Sequence, residues 1–569
     1  MNPQPPVTKM RIASRTSSGR KGARADFSAR PADAAQMVLD ALESNWMFWL
    51  ILGLATVLRV LFLDIKPPHF DEGINGWFVD QMVKDGYYRY DPTNYHGPLH
   101  FYILFLSQAL FGRNLYALRM PVVLASIGAV WLTLKYDRVV PRPVARLAAL
   151  AMALSPGFIF YGRYSIHEVW LLLFSMMFVF GLLGLWREGV LSYLWFTGMG
   201  ITGMILTKET YIIHLGCALF ALPIAYASTM IVGVEDSKPA EQKWNSLDLA
   251  IVILTGIGAI VFFYSGTFFH WSGLKDLFRT FHAWFETGSS GHGHEKPWYY
   301  WLELIARYEW PVCAGLVLCA FTFLFRILTL RFLAIMGVGT FMAYSIIHYK
   351  TPWCIISIVW PLLFVFGAFV LLVPRTRLVI SSIIASLLLF VSFGYAISLN
   401  FFRCSSFIEA NWDSNPVFTK RAPFVNVQSL ATNIREFFNA EPYVYVQTYN
   451  DIYKLTTPLL ELAHRNPRFY HLVGHIIRPS PYPLPWILGD FPQVGYYEHD
   501  NNPAKLDADF LLVEESKIDQ VEKQLHDNYY TEALTIRPYQ DASKLYFRVS
   551  VFHEIFPDRL PSIIGRGKQ

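Results

Sequence analysis

Long apolar stretches separated by short polar punctuation dominate the first 400 residues of the chain. A helix needs about 20 apolar residues to cross about 30 Å of hydrocarbon. By that measure the pattern predicts spans near 46–64, 116–135, 144–161, 168–186, 190–207, 209–228, 249–269, 302–325, 328–347, 354–373 and 378–399. The run 98–111 opens with Pro, carries His100 and would be only about 21 Å long as a helix, so it is read as lying along the membrane surface. Beyond residue 400 the texture changes to short alternating segments at 443–447, 510–513, 533–536 and 545–549, with a helical stretch at 515–526. These predict a small α/β domain. The fold class is therefore a polytopic α-helical membrane protein of about eleven transmembrane helices. It divides into a disordered polar tail over 1–44, a membrane domain over 45–400 with outer-face loops 65–115 and 270–301, and an extracytoplasmic α/β domain over 401–569.

Composition agrees with that class. Of 569 residues 53% are hydrophobic, 16% aromatic and only 16% charged, too apolar for an ordinary soluble enzyme. The net charge of +5 is mild and the basic residues are scattered, which argues against nucleic acid as a partner. Five cysteines, Cys217, Cys313, Cys319, Cys354 and Cys404, form no CxxC pair and indicate neither a disulfide framework nor a zinc site.

Charge changes the picture in the loops. With 98–111 kept out of the span count, the basic tail, Arg138, Arg142, Arg146, Arg187, Lys238, Lys243, Arg326, Arg331, Arg375 and Arg377 all fall on the cytoplasmic side. The same choice puts Asp71-Glu72, the loop from Arg163 to Glu168, Lys208-Glu209, the loop 270–301, His348 to Lys350 and the C-terminal domain on the opposite face. The expected location is a cell inner (plasma) membrane, multi-pass, with the N-terminus cytoplasmic and the C-terminal domain periplasmic or extracellular.

The sharpest feature is His69-Phe70-Asp71-Glu72-Gly73, a carboxylate pair just after the first span. Acids at the rim of a hydrophobic span are costly unless they face water, protein or a polar ligand. Two readings fit: a general base for an attacking hydroxyl or amine, or a helix cap at the segment that follows. Lys208, Lys350, Arg163 and Lys296 are cations on the same face, candidates for the donor phosphate that the resemblance given below implies, and Lys208 and Lys350 sit equally well as snorkelling residues at span ends. His292 and His294, with Glu295, His96 and His282 in reach, leave open a divalent cation such as Mg or Mn; no cofactor is certain. Thr287-Gly-Ser-Ser-Gly-His-Gly293 reads as a flexible loop over the site or a solvated linker. Trp284, Trp298, Tyr299, Tyr300 and Trp301 cluster beside it, where aromatic faces can stack on a sugar or pack a helix entry.

Four motifs carry a resemblance. Asp71-Glu72 after the first span, Tyr95 and the turn His96-Gly-Pro-Leu99, Arg119-Met-Pro121 opening the second span, and Gly293-His-Glu-Lys-Pro-Trp-Tyr-Tyr300 resemble the GT-C superfamily of membrane glycosyltransferases. The last is similar to the His-x-x-Pro-Trp-Tyr-Tyr signature of its protein O-mannosyltransferase and aminoarabinose-transferase branch, and the nearest subfamily in pattern is the prokaryotic flippase activity-associated one. The resemblance implies inverting transfer from a polyprenyl-phosphate sugar donor, at the outer membrane face, to a lipid-linked glycan, lipid or protein acceptor. It implies Asp71 as base and Glu72 as its positioning neighbour, and it favours Lys350 for the donor phosphate. Relatives carry an Asp where Arg163-Tyr-Ser-Ile-His-Glu168 has Glu168. The competing class is a lipid-linked sugar flippase, which would show inverted repeats and helices broken near the midplane; neither is seen in the sequence.

Overall fold

The computed structural model describes residues 31–94, 96–234, 239–290, 294–372, 378–402, 441–498, 501–537 and 542–565. Its helices occupy every expected apolar run. They are α1 (Pro31–Glu43), α2 (Asn45–Val60), α3 (Phe70–Asp85), α4 (Leu99–Phe111), α5 (Leu115–Lys135), α6 (Arg142–Leu154), α7 (Pro156–Tyr161), α8 (Glu168–Arg187) and α9 (Leu191–Ile205). The order continues with α10 (Tyr211–Ser228), α11 (Ser246–Tyr264), α12 (Ser272–Ser290), α13 (Tyr300–Tyr308), α14 (Trp310–Leu318), α15 (Leu328–Ile346), α16 (Ile355–Gly367), α17 (Phe369–Leu372) and α18 (Leu378–Ile397). Among the described residues 7 helices are long and apolar enough to cross a membrane, or up to 9 if each sharply bent pair is one span.

Two helical breaks, between α6 and α7 and between α13 and α14, each fall at a recognisable residue. Between α6 and α7, Ser155 is extended and its hydroxyl caps Phe158 N at 3.3 Å, while Pro156 has no N–H to continue the ladder. Between α13 and α14 the axis bends by 120° at Glu309. Glu309 is buried and joins both breaks, accepting from Ser155 Oγ at 2.6 Å and Gly157 N at 2.7 Å, and from Tyr443 Oη at 3.0 Å. Amides that a break leaves without helical partners must find acceptors, and the Glu309 carboxylate, placed at one break, accepts from Gly157 N at the other.

Arg119 settles what the run 98–111 does. At the start of α5 its guanidinium donates to the carbonyls of Leu63 at 2.5 Å and of Lys66 and Pro67 at 3.1 Å, all just past α2. The chain between α2 and α5 therefore leaves and returns at one end of the bundle, and α4, at 13 residues, does not cross it.

Three local expectations are corrected. The end of the expected disordered tail, α1, is helical because Leu42 and its neighbours rest against α6 and α18. Thr287 to Ser290 continue the amphipathic α12 rather than forming a flexible loop. Segment 443–447 is irregular, not a strand, because its tyrosines point into the membrane domain. The four described cysteines are free, and Cys404 lies outside the described residues.

The C-terminal domain is a five-stranded mixed sheet, order β2-β1-β3-β5-β4, from β1 (Gly474–Ile477), β2 (Val494–Tyr497), β3 (Phe510–Glu514), β4 (Tyr529–Leu534) and β5 (Ser543–Arg548). The first three strands are parallel, and β5 runs antiparallel to β3 and β4. A helix, α19 (Tyr453–Arg465), lays Leu455, Leu459 and Leu462 on one face. The domain docks on α3 so closely that glycine is required: a Cβ on Gly73 would come 2.4 Å from Pro483 Cα, and one on Gly76 2.3 Å from the Trp486 ring. Arg113 completes the joint, bonding Asp80 at 2.9 and 3.0 Å, Asp490 at 3.2 Å and the Trp486 carbonyl.

Candidate active site

The start of α3 is fixed by its own sequence. His69 caps the helix, with Asp71 N donating to His69 Nδ1 at 3.2 Å and His69 N to Glu72 Oε2 at 2.8 Å, a reciprocal capping box. The paired acids then part company. Glu72 is fully buried and accepts from Arg119 Nε at 2.8 Å, Arg119 Nη2 at 2.7 Å and Ser165 N at 2.9 Å besides His69 N. Burial alone would raise its carboxyl, but the Arg119 guanidinium and these bonds hold it below the ordinary range. Asp71 instead keeps 28% of its side chain exposed and opens into a cleft of about 210 Å³.

That cleft is lined by Asp71, Ile74 and Asn75 of α3, Thr93, Asn94 and His96 of the following loop, Ile166, His167 and Glu168, and Tyr349 and Trp353. A smaller chamber of about 70 Å³ shares His96, Tyr349 and Trp353 and adds, among others, Lys208, Glu209, Trp284, Trp301, Thr351 and Cys354. Glu168 is ion-paired with Lys208, and His96 Nδ1 lies 3.0 Å from Glu209 Oε2. Desolvation pushes the Asp71 carboxyl above its ordinary value; His69, 3.9 Å away, pulls it down and the Glu168 charge adds to the rise. A carboxylate so raised is a stronger base than a free one, which suits proton abstraction from a hydroxyl.

Of the sequence-selected residues, Asp71, Glu168 and His96 line this cleft, and Lys208, paired with Glu168, lines the adjoining chamber. Glu72 stands behind the cleft as an anchor. Arg163 has a different task from the expected phosphate contact: buried, it donates to the carbonyls of Leu58, Arg59, Leu61 and Phe62 at 2.6–3.3 Å, closing the C-terminus of α2. Lys350 is buried and its ammonium reaches the carbonyls of Lys296, at 3.2 Å, and Ile347; its flanking residues Tyr349 and Thr351 line the cleft. Burial lowers the Lys350 ammonium to about 8. Residues 294–296 pair with 348–350 through Lys296 N to His348 O and Lys350 N to His294 O, both 3.1 Å. Lys296 lies 5.8 Å from the centre of the Tyr445 ring, and His294 bonds the Tyr445 hydroxyl. Trp298 is exposed at 66% and packs edge-on against Tyr299, and neither lines the cleft. Tyr95 and His292 lie outside the described residues.

Tyr445, Trp353 and Asn75 were missed. Tyr445 O accepts from His69 Nε2 at 2.7 Å while its hydroxyl meets His294, so one residue of the C-terminal segment ties both rims of the site. Asn75 Nδ2 donates to Ser165 O at 2.8 Å, holding the loop before Glu168 to α3. Helical spacing of Asn75 from Asp71 was the available signal; no local signal marks Tyr445. Among the described residues no three His, Cys, Asp or Glu gather as a metal-holding group. Glu168 of the cleft and Glu209 of the chamber already face Lys208 and His96.

No curated protein matches the sequence. Residues 95–258 match the family model described as dolichyl-phosphate-mannose-protein mannosyltransferase. The crystal structure of ArnT from Cupriavidus metallidurans bound to undecaprenyl phosphate is similar over 87% of this chain and 97% of its own, at 14% identity and a TM-score of 0.56. Its apo form aligns over 91% and 99%, at 14% identity and a TM-score of 0.53. The chain thus shares its overall fold with these ArnT structures, and its residues 95–258 are similar to the mannosyltransferase family.

Proposed function

We propose that the protein transfers a sugar from a polyprenyl-phosphate donor, with inversion, to a lipid-linked glycan or protein at the outer face of the cell inner membrane. The observation that carries this reading is the division of labour between adjacent acids, with Asp71 partly exposed in the cleft and Glu72 locked behind it. The acceptor hydroxyl attacks the anomeric carbon as its proton passes to Asp71. The bond from that carbon to the phosphate oxygen breaks, and its electron pair leaves with the polyprenyl phosphate. Lys208, bordering the inner chamber, and Lys350, behind Tyr349 and Thr351, supply positive charge where the leaving phosphate gathers negative charge. Support for the donor class comes from the structural likeness to an enzyme solved with undecaprenyl phosphate. The outer-face assignment follows from the basic loops at the opposite end.

The test is Asp71→Asn, which keeps shape and removes basicity. In proteoliposomes given donor on the outer face, acceptor-dependent release of free polyprenyl phosphate should fall about 10²- to 10⁴-fold, with donor binding retained. Wild-type turnover in this variant, or transbilayer movement of intact donor without cleavage, would reject the reading.

A further inference from the structure

A second polar groove, of about 560 Å³, adjoins the cleft and has no part in the chemistry above. The two share no lining residue, but their walls are neighbours along two separate segments of chain. On α3 the cleft is walled by Asp71, Ile74 and Asn75, and the groove by Phe78, Gln81, Met82 and Asp85. That spacing of three and four residues is one face of one helix. On the loop that follows, Tyr87 to Pro92 line the groove and Thr93 and Asn94 line the cleft. At about 1.5 Å per residue, the groove runs from roughly 10 Å to roughly 20 Å beyond Asp71.

Its walls are rigid. Tyr88 and Tyr90 are buried, stacking on Phe101 at 4.7 Å and bonding Thr280 Oγ at 2.5 Å respectively, while the alternate residues Tyr87, Arg89 and Asp91 are left facing outward. Asp91 Oδ1 fixes the turn by accepting from Thr93 N at 2.9 Å and Thr93 Oγ at 2.7 Å. The opposite side is the beginning of α12, with Asp276 and Arg279 paired at 2.9 Å.

Three carboxylates, Asp85, Asp91 and Asp276, are interspersed with two guanidinia, Arg89 and Arg279, so the groove has no single sign to select a polyanion or a polycation. It offers aromatic rings, Trp77 and Tyr87, the latter stacked on Phe269 and His270, together with donors and acceptors such as Gln81 and Asp85. A sugar ring has an apolar C–H face and a rim of paired hydroxyls, and it needs both kinds of surface at once. We infer that this groove holds the acceptor, and that the acceptor is a neutral saccharide chain whose terminal hydroxyl reaches Asp71 from the far end of α3. The inference rests on the proposed transferase reading and narrows its acceptor to a glycan.

Saturation-transfer NMR on the full-length protein in lipid nanodiscs tests it, with linear neutral gluco-, manno- and galacto-oligosaccharides and an uncharged peptide of similar length as probes. At least one saccharide series should bind saturably, in preference to the peptide. The double variant Asp85→Ala with Arg89→Ala, both exposed positions, should weaken that binding about tenfold or more. Absence of saccharide binding, indifference to the double variant, or preference for the peptide would overturn the assignment. Asp71→Asn should bind the saccharide as the wild type does. If it does so and still transfers sugar, the proposed base is wrong while the groove stands.

Discussion

Two buried acid–base pairs sit within a few residues of the cleft, and they differ in kind. Glu72 and Arg119 are 0% and 1% exposed, and both carboxylate oxygens are saturated by a planar bidentate guanidinium and two backbone amides. Glu168 and Lys208, at 4% and 6%, border the cleft, and Glu168 meets a single ammonium and the weak thiol donor of Cys354 at 3.8 Å. A saturated pair fixes geometry and has nothing left to offer a substrate; a pair with spare lone pairs at a cavity wall can respond to one. Burial by itself does not separate structural from chemical acids here. The number of donors already engaged does.

Breaking the saturated pair should have the largest effect. Arg119→Ala leaves Glu72 charged and buried without its partner and frees three carbonyls after α2, which should destabilise the fold by about 3–5 kcal/mol. The check is thermal unfolding in detergent, with protease sensitivity at the junction of α2 and α3. An Arg119→Ala protein as stable as wild type would erase the distinction drawn above.

The second pair should respond more in rate than in folding. Lys208→Met is expected to slow single-turnover transfer about 10²-fold with a smaller fall in melting temperature than Arg119→Ala, and Glu168→Gln to be milder. Because the two touch, their double variant should cost less than the sum of the single ones. Equal losses of stability at both pairs would put Glu168 and Lys208 in the structural class with Glu72.

The smallest effect is one of pH. Lys350 is charged below about 8 and neutral above it, so any contribution it makes to the leaving phosphate is present below that pH and lost as pH rises through it. The basic limb of kcat/KM should fall near there in the wild type and move to higher pH in Lys350→Arg, which keeps its charge. The acid limb belongs to Asp71 and should lie above the ordinary carboxylate range, since its carboxyl is raised and activity needs the ionised form. A basic limb that Lys350→Arg leaves in place would detach Lys350 from the chemistry.

Much of this was legible in the sequence, because a membrane imposes its pattern over 20 residues at a time. Apolar length marked the helices, and the asymmetry of Arg and Lys sorted the loops so that Asp71, Glu168, Lys208 and Tyr349 to Trp353 could meet at one end. What was not legible depended on contacts far along the chain. Arg163 looked like a phosphate ligand because sequence shows its charge but not the four carbonyls at the end of α2 that occupy it. Segment 443–447 alternated like a strand, yet its tyrosines are drawn to Glu309, Glu441-bonded Tyr308 and His294. Strands β1 and β2 escaped notice because each is 4 residues long and lacks alternation.

The bond between His69 and Tyr445 closes a loop of 376 residues. Contacts of such separation carry a large closure entropy and form late, after local helices and neighbouring pairs are in place. The cap of the Asp71 helix is therefore finished by a segment that leaves the ribosome only after every membrane helix described above has been made. A nascent chain interrupted before residue 445 would hold its spans and its acid pair without the clasp between the two rims. Completion of the cleft's second rim is in this way left to the C-terminal segment and comes at the end of synthesis, not with insertion of the spans.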